Sequence, residues 1–351
     1  MLNVGIVFVF AGFMALLGFG ALSCAAPGSE VLFVSNRDGD NEIFVMNADA
    51  TMVSQLTANT ADDLEPVWSP DGLRIAFTSN RDGNQEIYVM DADGGNQQRL
   101  TNHPMPDWTP RWSPDGQLIA FVSFRDEKPE IYIMRPDGSE QRRLTTLPPG
   151  SVGGQQWSPD GARLVFETGV GRRGEIMAIN VDGTGLVNLT NTPDAHEFGP
   201  RWSPDGSIIL FHKQSGEAIA LMAMGTDGKE VRDLSQFPEV RPGIQDSFPQ
   251  WSADGKRVVF TTTRHGVRQE LYLMDADGLG KVRLTQNDVE DFQPAWSPDG
   301  KQLLFIRITG VNADIFLMNS DGSGEKQLTS STANESQPLF SPAFRVGASS
   351  R

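Results

Sequence analysis

Six carboxylates recur at one place in a repeated phrase. Asp63, Asp107, Glu197, Asp246 and Asp291 each stand five residues ahead of a tryptophan, and Glu335 stands five ahead of Phe340. Val152 takes the position in the remaining copy. Like charges brought into one ring need something that offsets them. One chemistry that would do so is internal, with each carboxylate capping loop N–H groups or pairing with Arg37, Arg81, Arg125 or Arg264. The other is external, with the ring taking a cation or a basic side chain of a partner. Val170, Ser215 and Thr309 replace the arginine in three copies, so pairing alone is not expected to satisfy every acid. Leu64, Trp108, Phe198 and Phe292 follow their acids directly, and Trp108 is the one tryptophan of seven outside the repeated position. An aromatic beside an acid suits a basic or amphipathic peptide, although packing between loops explains it as well. His196, Glu197 and His212 form a weaker candidate, a mixed nitrogen and oxygen set that could hold a divalent metal. Plain surface histidines are the commoner alternative.

These residues are positioned by a repeat. Trp-Ser-Pro-Asp-Gly at 68–72 returns from Trp112, Trp157, Trp202, Trp251 (with Ala253 for Pro) and Trp296, at spacings of 44, 45, 45, 49 and 45 residues. A worn copy begins at Phe340. A period of this size signals an array or a propeller. Each unit carries four phrases, as in PVWSPDG, RIAFTSNRDG, EIYVMDADG and QQRLT from Pro66 onward. Ser-Pro-Asp-Gly and Asp-Ala-Asp-Gly are turn chemistry, and the intervening runs are rich in the β-branched and aromatic residues of strands. Four strands per unit make a propeller blade. The second phrase centres on Phe33, Phe77, Phe121, Phe166, Phe211, Phe260 and Phe305, and the third on Ile43, Ile87, Ile131, Ile176, Ile219, Leu271 and Ile315. The reading is therefore all-β, a seven-bladed propeller of four-stranded blades. The chain enters at a second phrase and leaves at a first, so the C-terminal strand is expected to close the N-terminal blade and remove its free edge.

WSPDG, SNRDG and YVMDADG together resemble the TolB-type propeller family over about residues 31–342. TolB itself has an α/β domain ahead of a six-bladed propeller; here only a leader is read ahead of the blades, and seven blades are counted. The resemblance implies a protein- or peptide-binding scaffold in the cell envelope, since TolB's propeller engages a peptidoglycan-associated lipoprotein. The binding face would be the one where the acids lie, with Asp63, Asp107, Trp108, Glu197, Phe198, Asp246, Asp291, Phe292 and Glu335 as contacts. The partner would be an envelope protein or an extended basic or amphipathic peptide, met by a monomer. Two unequal loops, Gln236–Phe248 and Leu147–Gln155, should bias the contacts, because function concentrates on unusual loops of a rigid array. Enzymes are the alternative: propellers of oligogalacturonate lyases hold a metal through several histidines. A Ca²⁺-stabilised structural propeller, with the ion in the channel, is a third reading. A prolyl-oligopeptidase chemistry is excluded by the lack of G-x-S-x-G. Gly169–Gly174 lacks the Lys-Ser/Thr of a phosphate loop and reads as a hairpin.

The ends differ from the blades. Val4–Leu22 is apolar or Gly throughout, and Ala21-Leu22-Ser23-Cys24 resembles a bacterial lipobox, so residues 1–26 read as a signal or lipoprotein leader, or an N-terminal anchor. Cys24, the sole cysteine, is the expected lipidation site, and no internal disulfide can form. Residues 27–345 form the propeller and 346–351 a frayed tail, with the whole placed in the periplasm or outside the cell. The balance of 45 acidic against 29 basic residues, a net of −16, disfavours nucleic acid and anionic lipid surfaces as partners.

Overall fold

A computed structural model describes residues 30–342 apart from 171–172, 193–194 and 237–242. The leader with Cys24, the tail beyond 342, and Phe237, Pro238, Arg241 and Pro242 of the long loop lie outside the described residues. Every sheet is a four-stranded antiparallel blade, and there are seven. Blade 2 shows the plan: Asp63–Trp68 is innermost, then Arg74–Ser79, Glu86–Asp91 and the short Gln98–Arg99. Blade 1 is assembled from both ends of the chain. Its innermost strand is Glu335–Phe340, which pairs Phe340 with Val31, Leu339 with Leu32, Ser336 with Val34 and Glu335 with Ser35. The closure read from the phrase count is what the chain adopts.

One phenylalanine per blade anchors the core. Phe33, Phe77, Phe121, Phe166, Phe211, Phe260 and Phe305 are the largest fully buried side chains. Across each hairpin the register sets it opposite Phe44, Tyr88, Tyr132, Met177, Met222, Tyr272 or Phe316. The Leu-Thr phrase also has a physical cause. In blade 2 the Thr101 hydroxyl accepts the Ile87 N–H at 2.9 Å and donates to the Glu86 carboxylate at 2.5 Å, tying the third strand to the fourth. The same bridge recurs at Thr145 with Glu130 and at Thr285 with Glu270, both 2.6 Å. Blades interlock at the Asp-Ala-Asp-Gly corner. Gly94 (φ 86°) lies so close to the previous blade that a Cβ would meet the Leu56 carbonyl oxygen at 2.8 Å. Only glycine combines that conformation with that approach.

The third phrase of blade 5 is displaced from its expected centre. Leu221, not Ile219, takes the place of Ile87, because its N–H donates to Ser235 as Ile87 does to Thr101. The hairpin Ile208–Ser215/Ala218–Gly225 runs further than those of the Ser-Asn-Arg-Asp-Gly blades and turns on two residues, with Gly216 at φ 64°. Gln302–Thr309/Asn312–Asn319 of blade 7 does the same at Gly310. Gly169 faces Gly174 in register, as the hairpin reading of that stretch requires.

Candidate site at the channel of the propeller

The six ring acids are buried. Asp63, Asp107, Asp246 and Asp291 have 0% exposure, and Glu197 and Glu335 have 1%. Each is held by a cation of its own blade. Arg81 meets Asp63 at 2.6 Å, Arg125 meets Asp107 at 2.7 Å, Arg37 meets Glu335 at 2.9 Å and Arg264 meets Asp246 at 3.0 Å. The guanidinium also stacks on the blade's aromatic pair, 4.5 Å from the Tyr132 ring centre for Arg125 and 4.8 Å from Tyr88 for Arg81. Of the two chemistries open to the ring, the internal one is therefore realised.

Pairing reaches more of the acids than expected, although Asp63, Glu197 and Glu335 each keep one buried oxygen with no hydrogen-bond partner among the described residues. In blade 7 Arg307 stands two residues before Thr309 and binds both oxygens of Asp291, at 2.7 and 2.9 Å. In blade 5 Lys213 stands two residues before Ser215 and lies 4.0 Å from Glu197, which also accepts from the Thr192 hydroxyl. The longer hairpins move the cation from the turn into the strand. Blade 4 has Val152 in place of the acid and Val170 in place of the arginine, so acid and cation are missing together. Met177 and Met222 stand where the other blades have an aromatic platform.

The metal set is also corrected. His196, Phe198 and His212 stack in that order, with ring centres 5.2 and 4.6 Å apart, so a phenyl ring separates the two imidazoles. Glu197 lies between His196 and Phe198 in the strand and points to the opposite face of the sheet. Among the described residues no three His, Cys, Asp or Glu side chains converge on one point. Burial pushes the His212 imidazole down to about 4, and its Nδ1 lies 3.2 Å from the Phe198 carbonyl. These residues do not converge on a site for a divalent ion.

Trp108 and Phe292 are half-buried and pack on the blade interfaces, Trp108 against the cluster that includes Val122 and Val152, and Phe292 against the one that includes Leu304 and Phe340. Phe248, which the sequence reading passed over, is 39% exposed with its ring centre 6.4 Å from that of Phe292. The end of the long loop lies along blade 5, where the Ile219 N–H donates to the Ile244 carbonyl at 3.0 Å. A cavity of about 410 Å³ opens there between Ile244, Gln245, Arg264 and Val267.

The innermost strands share a device that the repeat did not reveal. Glu65, Thr109, Gly154, Gly199, Phe248, Gln293 and Gln337 all have φ between 50° and 62°. Each sits in a bulge, where the register shifts by one residue. Side chains strap one bulge to the next. The Glu65 N–H donates to the Gln337 side chain at 2.9 Å, and the Thr109 N–H donates to the Glu65 carboxylate at 2.8 Å. Further round, the Gln155 amide donates to the Thr109 carbonyl at 2.6 Å, and the Gly199 N–H donates to the Glu167 carboxylate at 2.6 Å. A girdle of inter-blade bonds thus fixes the channel wall.

Two arginines stand on this wall, each just before the blade's tryptophan. Arg111 of blade 3 gives one bond, 2.9 Å, to its neighbour's carbonyl at Pro110. Among the described residues Arg201 of blade 5 has no hydrogen-bond or ion-pair partner. Burial lowers the pKa of both; Arg201, also repelled by Arg111, comes down to about 10. Sequence reasoning missed them, although Pro-Arg-Trp stands twice where the other blades have Val, Gln, Ala or Leu in the middle position.

One further acid yields a pH test. Glu42 is fully buried beside Asp63, and Asn59 donates to both carboxylates. Burial pushes Glu42 up to about 7, with the bonds from Thr57 and Asn59 opposing and the Asp63 charge adding to the rise. The folded chain keeps a proton that the unfolded chain releases near 4.5. The contribution of Glu42 to stability is full below that pH and is lost as pH rises to about 7. Glu42→Gln is expected to flatten the fall of the urea midpoint over this window, and an unchanged slope would contradict the assignment.

Seven closed blades around a strapped channel define a β-propeller. The chain belongs to the family of TolB β-propeller domains, which matches it over residues 19–103, 80–241 and 239–345. No curated protein matches it. Among solved structures it is similar to TolB from Acinetobacter baumannii, at 19% identity over 90% of this chain and 83% of that one, with a TM-score of 0.58. An oligogalacturonate lyase in complex with manganese is 18% identical over 83% of this chain and 85% of its own, with a TM-score of 0.68. A puromycin-hydrolyzing peptidase from Mycobacterium tuberculosis is 16% identical over 86% of this chain but only 52% of its own, with a TM-score of 0.70. At such identities the likeness is one of fold, and function must be argued from the site.

Proposed function

We propose that this propeller is a binding scaffold of the cell envelope that takes a protein or extended peptide at the mouth of its channel. The carrying observation is the run of straps between innermost strands, which ties blades 1 to 5 and with them Trp108 and Phe198 at the channel without a disulfide. A rim fixed in advance binds with little ordering cost. Within this reading Trp108, Phe198 and Phe292 make contacts. Asp63, Asp107, Glu197, Asp246, Asp291 and Glu335 act indirectly, by pinning the strands that carry the rim. The TolB family supports an envelope location, and the apolar leader with Cys24 supports a lipid anchor. The lyase alternative gains from Arg111 and Arg201, which would attract an acidic sugar, and loses from the separation of His196 and His212. A channel Ca²⁺ is disfavoured by the same arginines.

The test is capture from a detergent-solubilised envelope fraction by the full chain, beside a Trp108→Ala/Phe198→Ala/Phe292→Ala variant shown to melt cooperatively. A partner held by the parent and lost by the variant is the expected result. Equal capture would move the interface off the rim, and no specific capture by the parent would remove the scaffold reading.

A further inference from the structure

The fold does not require the two channel arginines. The equivalent position is Val67 in blade 2, Gln156 in blade 4, Gln250 in blade 6, Ala295 in blade 7 and Leu339 in blade 1, so five of seven blades close without a cation. Both residues are half-buried rather than enclosed in the core, so their guanidiniums are not sealed from a ligand. Carboxylates lie within electrostatic reach, Glu65 for Arg111 and Glu167 for Arg201, yet neither forms an ion pair there. Both are already engaged. Glu65 accepts from the Thr109 N–H at 2.8 Å and the Thr78 hydroxyl at 2.9 Å, and Glu167 accepts from the Gly199 N–H at 2.6 Å. The guanidinium donors are left for a planar, bidentate acceptor.

We infer that Arg111 and Arg201 form a carboxylate site on the channel wall, and that its occupant is the C-terminal end of an extended polypeptide. This inference rests on the scaffold reading above and names what the scaffold holds. The wall is divided. At one register Arg111, Gln156 and Arg201 are polar on one arc of blades, while Ala295, Leu339 and Val67 are half-buried apolar residues on the other, Val67 and Ala295 also packing on blade clusters. Across the bulge the arginines stand two pairing positions beyond Trp108 and Phe198, about 7 Å along the channel at ~3.3 Å per residue. A ligand that meets both rim and arginines is therefore narrow and extended, with a charged end and apolar side chains. A polypeptide C-terminus has that shape and chemistry.

Two pairs of probes test the site on the full chain by calorimetry. The first is a pool of N-acetylated hexapeptides ending in Leu or Phe, with a free or an amidated C-terminus. The second is phenylacetate against phenylacetamide. Trigalacturonate is titrated alongside. Free-ended peptides are expected to bind about tenfold or more tighter than amidated ones, the scale of a charge-assisted hydrogen bond. Arg201→Gln should abolish that ratio, and Arg201→Lys should restore part of it. Arg201→Gln should also melt no lower than the parent, which separates loss of binding from loss of fold. Equal binding of free and amidated peptides would overturn the carboxylate site and leave the scaffold reading standing. Binding of phenylacetate with no peptide bound in either form would keep an anion site but remove both the peptide occupant and the scaffold reading. Binding of trigalacturonate alone would overturn the peptide assignment in favour of an acidic sugar.

Discussion

Deletion of residues 335–342 is expected to abolish the cooperative unfolding transition. The strand Glu335–Phe340 is the innermost of blade 1, and the ring has no other closure. Phe340 is 8% exposed and joins the cluster that seals blade 7 to blade 1 with Val31, Phe33, Leu304 and Ile315. Losing such an aromatic costs about 3–5 kcal/mol by itself. Glu335 leaves Arg37 without its carboxylate, and Gln337 no longer straps blade 1 to Glu65. Three losses of this kind approach the whole stability of a domain, about 5–15 kcal/mol. They also expose Glu30–Ser35 as an unpaired edge that invites association. Thermal unfolding followed by circular dichroism and light scattering checks this. A shortened chain that melts like the parent would contradict ring closure by this strand.

The second large effect lies in the acidic ring. Arg125→Ala leaves Asp107 fully buried with its guanidinium gone, and removal of one partner from such a pair costs about 3–5 kcal/mol. The loss also includes the stacking of Arg125 on Phe121 and Tyr132. Burial already raises the Asp107 pKa above its ordinary value, with Ser123 and Arg125 opposing the rise. Without Arg125 the carboxyl should hold its proton to still higher pH. Its stabilising contribution is then present at low pH and lost as pH rises through the folded value, so the variant should regain stability on acidification. Asp107→Val/Arg125→Met should recover most of the loss, because it copies blade 4, where Val152 is buried without any charge. Urea unfolding at pH 5 and pH 8 checks this. An Arg125→Ala variant as stable as the parent at pH 8 would show that the pair carries little.

The blades were legible because their signals are local. A turn needs Pro, Asp and Gly at fixed places, and one buried Phe per hairpin sets the register, so counting phrases gave both the blade number and the closing strand. The partners of the ring acids were less legible. Lys213 and Arg307 replace an arginine of the turn from within the strand, and that shift follows from hairpin length, which apolar runs such as Ala218–Met224 do not define. The channel was least legible. Strand alternation assigns faces two residues at a time, and the left-handed residue in each inner strand breaks that alternation just where the wall is made. An overall charge of −16 also said nothing of the sign near the axis, where Arg111 and Arg201 stand on neighbouring arcs of the wall. The metal set failed for a simpler reason: neighbours in a strand face opposite ways, so His196 and Glu197 could not converge.

The most direct test of the account is a crystal structure of the full chain grown with phenylacetate. The predicted result is a carboxylate about 2.7–2.9 Å from the Arg201 guanidinium, its ring toward the apolar arc, with Asp63, Asp107, Asp246, Asp291 and Glu335 still on their arginines. Arg201 closed onto Glu167 with no ligand bound, or ring acids turned into the channel, would contradict it.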